Sequence, residues 1–277
     1  MSRERTAPAG PRSGDGSVWE VTEIPDWATR KQAFGSVAEL YDRFRPGYPP
    51  ELVDDVLGYA ALDGAPALEA GAGTGKATFA FVDRGVAVTA VEPDPLMATV
   101  LIRHAAAGGT ELDVSVTTFE EYRPEQPFGL LYSSQAWHWI DPATRWERAA
   151  GALRPGGALA LFWNRDRPAD AAVTAELKAA HDAHAPQVFR GHKRVEQADL
   201  AWPEIEDHPE FRDVEARLYR WRWTLQVADY VAYLGTQSAY VLLDDAVRDA
   251  LFADITARLG DEVVSDVDTS LHLARRR

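Results

Sequence analysis

Short apolar runs bounded by turn residues alternate with stretches of helical spacing through the middle of the chain. Ala67-Leu68-Glu69-Ala70 reads as a strand running into Gly71-Ala72-Gly73-Thr74-Gly75, and KATFAFVDR after it reads as a helix that Gly85 stops. A second strand covers 86–91, a helix 95–107, a third strand 112–116 and a fourth 128–133. A helix over 142–153 and the turn Arg154-Pro155-Gly156-Gly157 lead into a fifth strand, 158–163. Strands separated by helices of this length predict βαβ units, a parallel sheet and right-handed crossovers. Upstream, 27–59 looks helical and broken, with Pro49 and Pro50 placed to start the helix ELVDDVLGYA. After Asn164 the rhythm changes: a helix over 168–186, a polar aperiodic stretch to 210, a strand over 214–225, helices over 227–243 and 245–259, and a last strand over 264–274. The terminal Arg275-Arg276-Arg277 reads as a frayed, solvated tail. Residues 1–18, rich in Gly, Pro, Ser and Arg, read as a disordered leader, and 19–277 as one domain with an insertion.

Composition narrows the class. A hydrophobic content of 46% in 277 residues is ample for a full core. With 29 Lys plus Arg against 43 Asp plus Glu, the formal net charge is −14 at pH 7. That balance argues against a nucleic-acid backbone or an anionic membrane surface as partner, since both need clustered cations. The chain has no cysteine, hence no disulfide framework, thiolate metal site or Cys nucleophile. No apolar run reaches the length of a spanning helix, and the first 30 residues lack a signal-peptide core. These features point to a cytoplasmic protein.

The glycine loop carries the chemistry, because it lies where a ligand can approach bare backbone at a helix N-terminus. A Walker A loop matches at Gly75-Lys76 but fails at Ala70 and Ala77. The dinucleotide fingerprint fails at its third glycine, where Lys76 stands. A tight turn without a ligand stays open as the plain alternative. What remains is Glu69-x-Gly71-x-Gly73-x-Gly75, with a second acid, Glu92, closing the next strand.

On these residues the sequence resembles the class I S-adenosylmethionine-dependent methyltransferases. Leu153-Arg154-Pro155-Gly156-Gly157 resembles the turn before their fifth strand. Ser133-Ser134-Gln135-Ala136-Trp137-His138-Trp139 is similar to the segment after strand four in a small-molecule subgroup that includes the trans-aconitate-methyltransferase-like proteins. The opening segment Phe34-Gly35-x-x-Ala38-x-x-Tyr41-Asp42-x-x-Arg45-Pro46-x-Tyr48-Pro49 is similar to that subgroup too. The resemblance covers about 34–163, with 264–274 as a last strand and 165–260 as a variable segment over an acceptor pocket. It implies an α/β, Rossmann-like seven-stranded sheet in the order 3-2-1-4-5-7-6, with strand 7 antiparallel and S-adenosyl-L-methionine over the carboxyl ends of strands 1 and 2.

For the site, the resemblance places Glu69, Gly71, Gly73 and Gly75 along the methionine end of the cofactor and Glu92 on the ribose hydroxyls. Pro93 and Met97 are candidates for flanking the adenine, and Thr118, Phe119 and Glu120 for its edge. Arg45 is a candidate partner of the cofactor carboxylate, and Tyr41 a shield for the sulfonium. Gln135 and His138 follow strand four, where the methyl group should point. His138 is a candidate base for a hydroxyl or amine, whereas a carboxylate acceptor needs none. His181 and His184 sit three apart on a helix and read as a solvated face, and no metal site is expected. The expected activity is methyl transfer to a small molecule by a monomer or homodimer. An NAD-dependent reductase and a non-catalytic cofactor-binding or assembly protein remain as alternatives.

Overall fold

The structure is a computed structural model that describes residues 35–191 and 193–277; the expected leader and Phe34 lie outside the described residues. Helices α1 (Ala38–Phe44) and α2 (Pro50–Ala60) precede β1 (Ala67–Ala70). Then come α3 (Thr78–Val82), β2 (Val88–Val91), α4 (Pro95–Ala107), β3 (Asp113–Ser115), β4 (Phe128–Ser134), α5 (Arg145–Ala152) and β5 (Leu153–Pro168). The C-terminal part adds α6 (Ala171–His184), α7 (Pro203–Glu206), β6 (Phe211–Gln226), α8 (Val227–Leu234), α9 (Ser238–Val241), α10 (Asp245–Arg258) and β7 (Glu262–Arg276).

The seven strands form one sheet in the order β3-β2-β1-β4-β5-β7-β6. The pairs from β3 to β5 are parallel, and β7 is antiparallel to both β5 and β6. This is the order and polarity that the family resemblance implies. The central strands β1 and β4 are buried along their whole length, which explains why they are mostly apolar rather than alternating. On one face Leu68, Leu131, Leu159 and Leu161 pack with Trp137, Trp146 and Phe211. On the other, Leu130, Tyr132, Ala160 and Phe162 pack with Leu52, Val53, Val56 and Phe81. A third cluster joins Phe44 to Leu177, Tyr230, Tyr233, Leu251 and Ile255, and so docks α6, α8 and α10 beside α1.

Several elements differ from their expected extents. The helix after the glycine loop shrinks to Thr78–Val82, because Arg84 and Gly85 close tight turns onto Phe81 and Val82. The helix expected over 142–153 starts at Arg145, since the Asp141 carboxylate first holds the Ala143 N–H. The helix expected over 227–243 breaks into α8 and α9 at Gly235–Gln237, where the buried Thr236 hydroxyl turns back onto the Tyr233 carbonyl. β5 runs on to Pro168 although Arg165-Asp166-Arg167 is polar, because Asn164 to Pro168 pair with Thr269 to Ser265 of β7. That extension carries Asn164 and Asp166 over the carboxyl end of the sheet.

The expected frayed tail is also corrected. Arg275 and Arg276 end β7; Arg275 donates to the carbonyls of Gly156 (2.8 Å) and Tyr59 (2.7 Å) and lies over the Tyr59 ring, and Arg276 donates to the Leu153 carbonyl. Arg275→Ala should therefore lower stability by about 1–3 kcal/mol, measured as a fall in the urea midpoint at unchanged slope. A midpoint equal to wild type would return Arg275 to the solvent.

Candidate active site

Gly71, Gly73 and Gly75 all adopt positive φ (77°, 58° and 96°), so the loop after β1 is written in a conformation that side chains resist. Each glycine answers a different constraint. A Cβ on Gly71 would stand 2.4 Å from Ala136 Cβ, and one on Gly75 would strike Leu101 and Phe79 at 2.5 and 2.6 Å. A Cβ on Gly73 would meet no protein atom within 4 Å. Gly73 thus leaves space to something outside the fold, whereas Gly75 serves the packing of the loop against α4.

The two acids have opposite settings. Glu92, at the end of β2, is buried yet lines the cleft. Its Oε2 accepts from the Gly73 N–H at 2.7 Å and its Oε1 from the Asp94 N–H at 2.8 Å, so the carboxylate ties the loop to the start of α4. Glu69 is fully buried beneath the loop. Its Oε2 accepts from the Thr78 hydroxyl (2.5 Å) and the Tyr132 phenol (3.0 Å), and its Oε1 has no hydrogen-bond partner. Burial pushes its carboxyl up to about 8, and the Thr78 and Tyr132 hydrogen bonds offset this only in part. The expectation that Glu69 and Gly75 line the methionine end is corrected: both lie behind the cleft wall, one as a post under the loop and one as a packing site.

A cleft of about 350 Å³ opens over the carboxyl ends of β1, β2 and β4. Of the expected residues, it is lined by Tyr41, Arg45, Gly71, Gly73, Glu92, Pro93, Met97, Thr118, Phe119, Glu120, Gln135 and His138. Met97 and Phe119 are buried and double as core, Met97 against Ala38 and Val100, and Phe119 beside Trp137. Glu120 accepts from the Asp141 N–H. Gln135 holds a positive φ of 57° while its side chain donates to the Asn164 carbonyl. Arg45, expected as a partner of the cofactor carboxylate, reaches into the variable segment. Its Nε and Nη2 donate to the hydroxyl and carbonyl of Thr236 (2.8 and 3.0 Å), and its guanidinium lies between the Tyr41 and Tyr233 rings. It therefore braces the cleft wall against the α8–α9 break.

Sequence reasoning missed Tyr48, Thr74, Asp94, Ser134, Asn164, Asp166, Tyr233, Gln237 and Ser238, all of which line the cleft. Tyr48 had a signal, since it belongs to the opening motif; burial raises its phenol well above the ordinary range. The Thr74 hydroxyl is buried without a partner. Tyr233, Gln237 and Ser238 come from the variable segment, where no pattern marked them.

A second cavity, of about 400 Å³, adjoins the first and shares His138, Trp139, Asp166, Gln237 and Ser238 with it. His138 is exposed at this junction, and its Nδ1 accepts from Trp163 Nε1 at 3.4 Å. His181 lines the second cavity and is buried, not solvated as expected. Its ring lies 2.5 Å from the Leu177 carbonyl and 2.8 Å from the Tyr240 hydroxyl, and burial lowers its pKa. His184 meets Asp254 at 3.2 Å. Among the described residues, no group of three or more His, Cys, Asp or Glu is placed to hold a metal ion, and no helix is long and apolar enough to cross a membrane.

Comparison with known proteins agrees with this architecture. Residues 68–161 match the family described as a methyltransferase domain. An uncharacterized methyltransferase of Mycobacterium tuberculosis is 42% identical over 132 residues, which cover 48% of this chain and 52% of that protein. The chain thus spans about half the length of the curated relatives it matches. The solved structure of an Anaeromyxobacter dehalogenans protein described as a type II methyltransferase aligns with TM-score 0.58 and 22% identity, covering 84% of this chain and 98% of its own. A Haemonchus contortus phosphoethanolamine N-methyltransferase, solved with phosphomonomethylethanolamine and S-adenosylhomocysteine, aligns with TM-score 0.50 and 16% identity over 92% of this chain and 60% of its own. At such identities the structures speak for the fold alone. The fold is the one shared with these methyltransferase structures, and residues 68–161, which hold the glycine loop and its two acids, match the methyltransferase domain. None of these relatives singles out the trans-aconitate-methyltransferase-like subgroup.

Proposed function

We propose that this chain transfers the methyl group of S-adenosyl-L-methionine to a small-molecule acceptor by in-line displacement. The observation that carries the reading is the junction of two cavities over the sheet's carboxyl edge: one bounded by the glycine loop and Glu92, the other by the variable segment. The residues of the first fit the cofactor. Gly73 leaves open space, Thr74 holds a buried hydroxyl without a partner, and the Glu92 carboxylate, held by the Gly73 and Asp94 N–H groups, lines the cleft. In this reading Glu92 accepts the ribose hydroxyls, while Pro93, Met97 and Phe119 flank the adenine and Thr118 and Glu120 meet its edge. Tyr41, Gly71, Gly73 and Gln135 border the methionine end, with Arg45 fixing the wall above it.

The cofactor supplies a methyl group on a cationic sulfur. The protein's part is to align the two reactants and exclude water, with no covalent enzyme intermediate. The segment 165–260 covers the acceptor and 34–163 holds the cofactor within a single domain of 19–277. A cytoplasmic monomer or homodimer acting without metal, nucleic acid or membrane is consistent with the acidic, cysteine-free composition.

Calorimetric titration with S-adenosylmethionine, S-adenosylhomocysteine and NAD tests the proposal. The first two should bind and NAD should not, and Glu92→Ala should weaken both by about 1.5–3 kcal/mol per lost ribose hydrogen bond. Preference for NAD would favour the reductase instead, and binding of none of the three a non-catalytic assembly role.

A further inference from the structure

The second cavity has an apolar, aromatic body made by Leu177, Val188, Phe189, Tyr230 and Leu234. Most polar side chains that belong to it alone are already spent. Arg167 is turned into Asp268 at 2.7 Å and Asp266 at 3.4 Å, and Arg190 stands on the exposed rim, where water screens it. The Thr174 hydroxyl donates to the Asp170 carbonyl at 3.2 Å. An anionic group entering this body would give up its hydration beside a guanidinium that is already paired, which is unfavourable.

Two phenols in the wall differ from these. The His181 Nδ1 lies 2.5 Å from the Leu177 carbonyl, which can only accept, so Nδ1 carries the ring hydrogen. Burial lowers the His181 pKa, so the ring is neutral at pH 7 and above and Nε2 is the bare nitrogen. The Tyr240 hydroxyl, 2.8 Å away, therefore donates to Nε2. With its hydrogen committed, the Tyr240 oxygen has no second partner among the described residues and is left as an acceptor only. Tyr230 is buried in the same body, and among the described residues its hydroxyl has no hydrogen-bond partner. Burial and the nearby Tyr240 phenol both raise its pKa, so it stays protonated and can donate.

Resting on the proposed transfer reaction, we propose that Tyr240 and Tyr230 form an anchoring subsite for the methyl acceptor, an apolar-bodied, uncharged molecule bearing a hydroxyl that donates to the Tyr240 oxygen and accepts from the Tyr230 phenol. A hydroxyl is both donor and acceptor, so one group answers both tyrosines. An ether accepts from Tyr230 but leaves Tyr240 unanswered, and a carboxylate meets the bare lone pairs of Tyr240. Neither tyrosine lines the cofactor-sized cleft, so the anchored hydroxyl is not the group that is methylated. The reacting group of the same molecule lies towards the wall that the two cavities share.

The test uses four probes with one apolar body: 2-naphthol, 2-methoxynaphthalene, naphthalene and naphthalene-2-carboxylate. Each is titrated calorimetrically at about pH 7.5 into the full chain saturated with S-adenosylhomocysteine, which keeps the probes out of the first cleft. Naphthol should bind at least about tenfold more tightly than the other three, a difference of about 1.4 kcal/mol. Tyr240→Phe keeps the ring and removes the accepting oxygen, so it should bring naphthol within about threefold of the ether. Tyr230→Phe should weaken naphthol at least about threefold and leave naphthalene unchanged. Circular dichroism checks that both variants fold. A lead of naphthol that survives in Tyr240→Phe, a naphthol affinity unmoved by Tyr230→Phe, tightest binding of the carboxylate, or no binding by any of the four would overturn the proposal. Failure of S-adenosylhomocysteine to bind wild type would instead count against the transfer reaction, and the probes titrated alone into wild type and the two variants would still report the preference of the cavity.

Discussion

Gly73→Val is expected to abolish binding of S-adenosylmethionine in a protein that still folds. The residue holds φ at 58°, a region that a β-branched side chain avoids at roughly 1–3 kcal/mol. Its neighbours do not forbid a side chain, since no protein atom lies within 4 Å of where Cβ would be. The new atoms would therefore stand in the cleft itself, beside the N–H that Glu92 accepts. Strain and occlusion act together on the ligand, while the core stays intact. The same change at Gly71 would press into Ala136 and confuse folding with binding, which makes Gly73 the informative position. Titration calorimetry should show affinity reduced at least about a hundredfold, with a cooperative thermal transition retained. Wild-type affinity in the variant would show that the loop is only a turn between strand and helix.

The parallel βαβ core was readable from the chain because its central strands are short, mostly apolar and separated by stretches of helical spacing, whereas the order of the sheet was implied by the family resemblance. β1 and β4 bury every residue, so no solvent-facing position blurs the pattern. The acids and glycines of the loop were readable for a related reason: positive φ and a strand-end carboxylate are local requirements, written in single residues. What stayed hidden depends on partners distant in sequence. The polar end of β5 becomes strand only through antiparallel pairing with β7, about a hundred residues downstream. Asp166 gains its place from that pairing and from Tyr233, on a helix that the sequence shows only as apolar spacing. Arg275 looked like a tail because nothing local tells of the Tyr59 and Gly156 carbonyls it meets. Glu69 shows the reverse error. Its position in the motif is clear, but the sequence cannot say that Tyr132 and Thr78 hold it behind the cleft wall.

That buried acid leads to a prediction about stability rather than binding: Glu69→Gln should alter how stability depends on pH. In the folded protein the Glu69 carboxyl is pushed up to about 8 by burial, against 4.5 for an ordinary glutamate. Between these values the native state keeps a proton that the unfolded chain releases. The stability this proton contributes is fully present below about 4.5 and is lost as pH rises through 8. One such proton corresponds to a slope of about 1.4 kcal/mol per pH unit. Glutamine has no proton to lose, and its carbonyl can still accept from Thr78 and Tyr132. Urea unfolding at pH 5, 6, 7 and 8 should show the variant gaining on wild type at each step towards pH 8. Taking the difference between the two proteins removes the general effect of the net charge of −14, which both share. Parallel curves would mean that Glu69 is ionised in the folded protein across this range. Because Glu69 lies behind the wall rather than in it, the affinity of the variant for S-adenosylmethionine should stay within about threefold of wild type, where Gly73→Val loses it.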